Sequence, residues 1–371
     1  MILRRIHWVQ PILFVCLINP VSVNAQNWSV KRQDFTTGGR PTAVAAGDMN
    51  NDGYVDFVVA CQSDKTLRIY YNLIGGGLVE KYKITTPGLP SALVIEDFNR
   101  DGKLDLAAIL YDKHRVVVYL NEGLARFSSP RQFSSGNWPV AAASGDLNDD
   151  GFNDLVIANS LNDNVSILYG REEGIFRVMV NHRVGWPPVS LSLCDIDLDK
   201  DIDILTANQE DSTITILENL GHAKFGWPTP VDIAFGPTII LGEDFTRDGK
   251  MDVAVASQAE KLLLIYLNYD GDRFQTRKIQ PLDSYPSSLI SVDFNLDGKM
   301  DMIASHSISS TVSLLQNTGG VFLLAGTFQS EKSPNALAYA DFNLDGRPEF
   351  VAVNYLSKSF SLFKLRQRRT P

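Results

Sequence analysis

Short runs of β-branched, aromatic and small apolar residues alternate with polar turns along the whole chain, and helical periodicity is absent. Phe57–Ala60, Leu155–Ala158 and Phe350–Val353 are typical of these runs. The same order of runs and turns recurs in seven units, at steps of 49 residues except for a last step of 48. A fixed period of this size indicates a repeat architecture.

Each unit predicts four short strands. A proline and a stretch of small residues, such as Ala142–Gly145, open the unit. Proline can begin a strand but cannot lie inside a central one. A second apolar run, a polar turn, a third run such as Val116–Tyr119 and a more polar fourth run follow. The pattern predicts an all-β fold, a seven-bladed β-propeller with four antiparallel strands per blade.

The two ends of the chain indicate how the ring closes. The seventh unit stops after its third run, Phe360–Phe363, whereas a spare strand at residues 27–37 precedes the first proline. We expect residues 27–37 to complete blade seven, because this pairing would cover an otherwise open sheet edge. The basic tail, residues 366–371, is predicted to be disordered.

The first 25 residues have the pattern of a signal peptide. Arg4 and Arg5 precede an apolar core at 12–18, and Val23–Ala25 has the small residues of a cleavage site. The apolar run is too short to span a membrane, so no transmembrane anchor is expected. The sequence therefore predicts a secreted protein whose residues 26–371 form a single domain.

Every unit carries a nine-residue acidic loop between its first two runs. Oxygen-bearing side chains occupy the first, third, fifth and ninth positions, and glycine occupies the sixth in every unit except the fourth. Carboxylates held a few ångströms apart repel one another unless a cation neutralises them, and Ca²⁺ prefers several oxygen ligands. Glycine permits the positive φ of a sharp turn. An EF-hand would instead close with Glu at the twelfth position.

With these loops and strands, the chain resembles the FG-GAP/VCBS repeat family, which includes the N-terminal propeller of integrin α-chains. The resemblance covers essentially all of the chain after the leader. It implies that the loops bind up to seven structural Ca²⁺ ions on one face of the disc, and that ligands bind the opposite face. The metal ligands implied are Asp48, Asn50, Asp52, the Tyr54 carbonyl and Asp56; Asp97, Asn99, Asp101 and Asp105; Asp146, Asn148, Asp150 and Asp154; Asp195, Asp197, Asp199 and Asp203; Asp244, Thr246, Asp248 and Asp252; Asp293, Asn295, Asp297 and Asp301; and Asp341, Asn343, Asp345 and Glu349.

Three loops depart from the family pattern. Blade four has Lys200 where glycine is expected, which puts its site in question, because a left-handed non-glycine residue costs about 1–2 kcal/mol. Blade five offers the weaker ligand Thr246, and blade seven closes with Glu349 directly after Pro348. Extracellular modules bind Ca²⁺ with dissociation constants of roughly 10⁻⁴–10⁻³ M, which suits a secreted protein in millimolar calcium. The ions are expected to be structural.

The net charge of the chain limits the classes of macromolecule that it could bind. The formal net charge is −9, and the acidity is concentrated in the loops. This composition excludes a nucleic-acid partner, which would require a basic surface.

The face opposite the loops is expected to carry the function. Arg40, Trp138, Trp186 and Tyr285 lie beside the prolines there, and Arg, Trp and Tyr are enriched in binding hot spots. These residues predict a binding or cell-adhesion module for an extracellular protein or glycan. Trp138 and Trp186 could instead pack between blades, and both roles are open at this stage.

Nothing in the sequence nominates a catalytic residue. His114, His182, His222 and His306 are scattered, with no pattern of nucleophile, base and orienting acid. The alternative function is a carbohydrate-active propeller, either a lectin or a polysaccharide lyase or hydrolase, that uses the mouth of the channel.

Overall fold

In every repeat, the acidic loop separates the first strand of a blade from the second. In several blades, such as blade three with Pro-Val-Ala-Ala-Ala-Ser-Gly, the first strand is made largely of small residues, which suit a position close to the axis. The computed structural model describes residues 28–73, 77–123, 126–233, 235–269 and 274–367. The predicted signal peptide lies outside the described residues. Within them, 28 strands form seven four-stranded antiparallel sheets, and one 3₁₀ turn spans Glu172–Gly174.

The strands are numbered along the chain, and each blade runs from its inner to its outer strand. The first strand of the chain is β1 (Trp28–Thr36). Blade one contains β2 (Pro41–Gly47), β3 (Asp56–Cys61), β4 (Thr66–Leu73) and β5 (Gly77–Thr85); blade two β6 (Pro90–Glu96), β7 (Asp105–Leu110), β8 (Arg115–Tyr119) and β9 (Arg131–Ser134); blade three β10 (Pro139–Gly145), β11 (Asp154–Asn159), β12 (Asn164–Arg171) and β13 (Ile175–Arg183). Blade four contains β14 (Pro188–Cys194), β15 (Asp203–Asn208), β16 (Thr213–Leu217) and β17 (Thr229–Asp232); blade five β18 (Ile239–Glu243), β19 (Asp252–Ser257), β20 (Leu262–Tyr269) and β21 (Phe274–Pro281); blade six β22 (Pro286–Val292), β23 (Asp301–His306), β24 (Thr311–Asn317) and β25 (Phe322–Gln329); and blade seven β26 (Pro334–Ala340), β27 (Glu349–Asn354), β28 (Ser359–Gln367) and β1.

The seven sheets form a closed ring. The inner strands contact one another in the order β2, β6, β10, β14, β18, β22 and β26, and β26 contacts β2 again. The second strand of each blade is buried along its whole length. Seven apolar clusters each fill the space between two neighbouring blades, so apolar burial between sheets stabilises the ring. The prediction of a seven-bladed propeller is confirmed.

The N-terminal strand closes the ring as predicted. β1 pairs antiparallel with β28, from Trp28 opposite Gln367 to Thr36 opposite Ser359. Phe35 stacks on Phe360 with ring centroids 4.8 Å apart. Trp28 makes an edge contact with Phe294 of blade six at 5.2 Å, so β1 joins blade seven to its neighbour as well.

The predicted disorder of the tail is wrong at residues 366 and 367. β28 continues through Gln367, and Arg366 lies opposite Ser29. The physical reason is that β1 supplies backbone partners for these residues, which composition alone does not reveal. Residues 368–371 lie outside the described residues.

Candidate metal centres

The seven acidic loops join the first strand of each blade to its second strand, so all of them lie on one face of the disc. The predicted ligands of each blade lie along one loop, and the ninth residue begins the second strand. Two residues of every loop have positive φ. The fourth-position residues are Asn51, Arg100, Asp149, Leu198, Arg247, Leu296 and Leu344, and the sixth-position residues are Gly53, Gly102, Gly151, Lys200, Gly249, Gly298 and Gly346.

The first carboxylate organises each loop around itself. In blade six, Asp293 accepts hydrogen bonds from the backbone N–H of Asp297 at 3.1 Å and of Gly298 at 2.7 Å. Asn295 Oδ1 accepts a second bond from the Asp297 N–H at 2.8 Å. The same pair of backbone bonds to the first carboxylate recurs in blades one, two, three, five and seven. These bonds wind the backbone so that several oxygen atoms share one loop.

The ninth carboxylate is buried beneath the loop. In blade one, Asp56 accepts hydrogen bonds from the backbone N–H of Met49 at 3.0 Å and of Asn72 at 2.9 Å. Burial raises the pKa of Asp56 to about 7, although these two N–H donors oppose the rise. Burial likewise raises the pKa to about 7 at Asp105, Asp154, Asp203, Asp301 and Glu349. A buried carboxylate of this kind is stabilised by a nearby cation.

Blade four, the loop that the sequence puts in question, brings its acids closest together. Lys200 adopts a φ of 83°, the same left-handed conformation as the glycines, so the turn is preserved without glycine. In the described ranges, one group of three or more His, Cys, Asp or Glu side chains is placed to share a metal ion. It consists of Asp195, Asp197 and Asp203, whose ligand oxygens lie within 4.8 Å of one another.

An orphaned oxygen in this loop tests whether a metal fits. Asp195 Oδ1 is buried and has no hydrogen-bond partner among the described residues. Burial, followed by the charge of Asp199, raises the pKa of Asp197. Buried carboxylate oxygens normally have a hydrogen-bonding partner or a cation. The donor set, which contains only oxygen, fits Ca²⁺ or a similarly hard cation.

A buried asparagine that sequence reasoning missed connects neighbouring loops. The backbone N–H of Asn121 donates to Asp105 Oδ1 of its own blade at 2.7 Å, and its Nδ2 donates to the Met49 carbonyl in the loop of blade one at 2.9 Å. Asn72, Asn219 and Asn317 make the equivalent pairs of bonds. Each stands sixteen residues after the ninth acid of its loop, so the repeat period could have found them. We call these four residues the bridging asparagines.

Among the blades in which the side chain at this position is described, two lack this bridge. Gly170 occupies the position in blade three, and its N–H still donates to Asp154 Oδ1 at 2.8 Å. A Cβ at Gly170 would lie 2.3 Å from the Asn153 carbonyl oxygen, so no side chain fits there. Blade seven has the buried Leu365 at this position. The loops of blades two and six therefore receive no side-chain bond of this kind from the next blade.

We expect Asn121→Ala to lower the free energy of unfolding by about 2 kcal/mol, because it removes the donor to the buried Met49 carbonyl and to the partly buried Leu104 carbonyl. Asn51→Gly is the matched control, since Asn51 Nδ2 also bonds across a loop boundary, to the Gly102 carbonyl, but at the exposed surface, and glycine keeps the positive φ of this position. Its effect should stay within about 0.5 kcal/mol. Urea unfolding of both variants measures the difference; equal effects would show that the buried bridge has no special role.

The predicted ligand face lies at the opposite ends of the strands. The side chains of Trp138 and Trp186 are 51% and 48% exposed, so burial between blades does not account for them. Their backbones are held in place, because Trp138 N–H donates to His114 Nδ1 at 3.1 Å and Trp186 N–H donates to Asp211 Oδ2 at 2.7 Å. Both tryptophans are presented to solvent on ordered turns.

Arg40 and Tyr285 are engaged by neighbouring side chains. The Arg40 guanidinium lies 5.3 Å from the centre of the Tyr355 ring, and Lys261 Nζ lies 4.3 Å from the centre of the Tyr285 ring. These cation–π contacts reduce the surface of the Arg40 and Tyr285 side chains that is open to a ligand.

No helix in the described residues is long and apolar enough to cross a membrane.

Comparisons with known proteins agree with the repeated loops and strands. A family model described as FG-GAP-like repeat matches residues 48–108, 97–157, 195–255, 244–304 and 293–352, which is more than half of the chain. Each match begins at the first aspartate of a loop. No curated protein matches the chain.

Solved structures share the fold at low identity. A crystal structure of BBS1N in complex with ARL6DN, soaked with lead, is 15% identical over 93% of this chain and 98% of that one, with a TM-score of 0.67. The same complex soaked with mercury has 15% identity, the same coverage and a TM-score of 0.68. Virginiamycin B lyase from Staphylococcus aureus is 10% identical over 91% of this chain and 99% of that one, with a TM-score of 0.62.

Proposed function

The chain belongs to the FG-GAP-like repeat family, and from that premise we propose that it is a secreted, calcium-braced β-propeller that binds an extracellular protein through the face opposite its acidic loops. Propellers of this shape do hold proteins, since BBS1N is a propeller crystallised in complex with ARL6DN.

The exposure of Trp138 and Trp186 is the observation that carries the binding proposal. Trp138 immediately precedes Pro139 and Trp186 stands two residues before Pro188, so the two tryptophans occupy adjacent positions of the repeat at the starts of blades three and four. Leu161, also exposed, lies beside the turn of Trp138, because its N–H donates to the Asn137 carbonyl at 3.3 Å. Exposed tryptophans on ordered turns give a large contact area at a small cost in conformational entropy.

The calcium part of the proposal is supported by the orphaned oxygen in blade four and by the oxygen-rich loops. In blade four, Asp195, Asp197 and Asp203 would hold the ion, which would neutralise their mutual repulsion and tie the first strand of the blade to the second. The secretion part is supported by residues 1–25 of the sequence, which have the pattern of a signal peptide.

Binding should be lost when either tryptophan is truncated. We expect Trp138→Ala and Trp186→Ala each to weaken binding to the partner by about tenfold or more, with unchanged melting temperature. The measurement is a screen of the calcium-loaded protein against arrays of extracellular proteins and glycans, followed by titration of the hits.

Leu344→Ala is the matched control, since Leu344 is equally exposed but lies on the loop face. Binding that is insensitive to both tryptophans and sensitive to Leu344 would contradict the choice of face. Turnover of a polysaccharide by the unmodified protein would favour the alternative of a carbohydrate-active enzyme.

A further inference from the structure

A groove on the side of the disc, between blades three and four, has no role in the function proposed above. It has a volume of about 860 Å³, within the usual range of ligand sites. One wall is the outer strand of blade three at His182, and the other is blade four at Thr213, Thr215, Phe225 and Trp227. We call it the side groove.

The residues that line the side groove depart from the repeat in both blades. Blade two makes the same turn 98 residues earlier, with Phe127 and Ser129 where blade four has Phe225 and Trp227. There the wall residue is Ile84, which packs with Phe127 against an apolar cluster between blades one and two. In blade three its equivalent is His182, so an apolar junction is replaced by one with polar groups.

Trp227 is the most exposed large apolar residue at the side groove. Its side chain is 93% exposed, more than any other large apolar side chain in the described part of the chain. The turn that carries it is ordered, because Gly226 N–H donates to the Glu218 carbonyl and Leu220 N–H donates to the Lys224 carbonyl, both at 2.8 Å. An indole held open to solvent offers a flat apolar face to a ligand.

Polar groups with unused hydrogen-bonding capacity lie beside this indole. His182 Nε2 is buried and has no partner among the described residues. The His182 ring is fixed by an edge contact with Phe225 at 4.9 Å. Burial lowers the pKa of His182, so the imidazole is neutral at physiological pH.

Two threonine hydroxyls add to the set. Asn208 Nδ2 donates to Thr213 Oγ1 at 3.1 Å and to Thr215 Oγ1 at 2.8 Å. Both hydroxyls are thereby oriented, and their own O–H groups are left to donate. A buried polar group without a partner is costly, so a ligand that supplies one gains affinity.

The charge at the side groove is balanced. Its lining contains one cation, Arg183, and one anion, Asp211, beside the neutral His182. A strongly anionic or cationic ligand therefore finds no excess of opposite charge. The chemistry that matches is a neutral molecule with an apolar C–H face and many hydroxyl groups.

We propose that the side groove binds a neutral oligosaccharide, with one sugar ring stacked on Trp227 and its hydroxyls bonded to His182 Nε2 and to the hydroxyls of Thr213 and Thr215. The side groove borders the turn of Trp186, because Asp211 lines the groove and accepts the Trp186 N–H. The residues proposed to contact the sugar are distinct from Trp138 and Trp186.

The test uses the calcium-loaded full chain and trisaccharides of glucose, mannose, galactose and N-acetylglucosamine as probes. We expect saturable binding of at least one of them by calorimetry, with transfer of magnetisation from the protein to the C–H face of one sugar ring in NMR. Trp227→Ser introduces the residue that blade two has at this position, Ser129. This substitution should weaken trisaccharide binding about tenfold or more and leave the melting temperature unchanged.

His182→Phe keeps the ring contact with Phe225 and removes Nε2, and it should weaken binding about tenfold. Trp138→Ala is the matched control and should leave saccharide binding unchanged. That result also separates this site from the protein-binding face, because the same variant should reduce binding of the protein partner.

Three outcomes would overturn the proposal. The first is that no neutral trisaccharide binds, and the second is binding that is unchanged in Trp227→Ser. The third is that the side groove takes another class of ligand, seen as Trp227-dependent binding of a sulfated trisaccharide or of a proline-rich peptide in place of the neutral sugars.

Discussion

Removal of calcium is expected to lower the melting temperature of the protein by about 10 °C. At a free calcium concentration tenfold above the dissociation constant, each occupied site adds about 1.4 kcal/mol to the free energy of unfolding. Several sites together add several kcal/mol, and a chain of this length unfolds with an entropy that converts this into a shift of roughly 10 °C. The physical cause is relief of repulsion among acids such as Asp195, Asp197 and Asp203.

Differential scanning calorimetry in calcium and in excess chelator measures this shift. The control is chelator that has been saturated with calcium beforehand, which should leave the melting temperature unchanged. Replacement of calcium by magnesium should restore little of the loss, because magnesium gives up its water shell reluctantly. Identical melting curves with and without calcium would refute the metal assignment for all seven loops.

Trp28→Ala is expected to lower the free energy of unfolding by about 4 kcal/mol, the largest effect of a single substitution that we predict. The Trp28 side chain is only 5% exposed and belongs to the apolar cluster between blades six and seven. Its loss leaves a cavity beside Phe294 and weakens the strand that closes the ring. The loss of stability should therefore exceed that caused by removing an equally large side chain that is exposed on the surface.

Urea unfolding of Trp28→Ala and Trp227→Ala gives the comparison. Both remove an indole, but Trp227 is exposed, so its truncation should change the free energy of unfolding by no more than about 0.5 kcal/mol. Similar losses in the two variants would mean that β1 does not hold the ring closed.

The repeat made most of the fold predictable. Strand order, blade number and the pairing of residues 27–37 with blade seven all followed from a period of 49 residues and from one missing strand. A local pattern suffices here, because each blade contacts little beyond its neighbours. The seven acidic loops were likewise found by their spacing.

Features that depend on contact between blades were not predictable in the same way. The bridging asparagines bond to carbonyls 72 residues earlier, or, for Asn72, 270 residues later. The exposure of Trp138 and Trp186 depends on how closely neighbouring turns approach, which no single repeat contains. Composition also misjudged Arg366, whose partner strand lies at the other end of the chain.

The left-handed conformation of Lys200 shows that the turn of blade four forms without glycine. The cost of about 1–2 kcal/mol for a non-glycine residue in this conformation is small beside the packing of a whole blade. The fold imposes the turn, and the extra acid Asp197 then stands where asparagine or threonine stands in the other loops.

Closure by the first strand has a consequence for biosynthesis. Thr36 meets Ser359 only after 323 further residues have left the ribosome. At 5–20 residues per second, Trp28 and Phe35 wait roughly 15–65 s for their partners. During that interval a strand with apolar side chains is open to a chaperone, or to the same strand of another nascent copy.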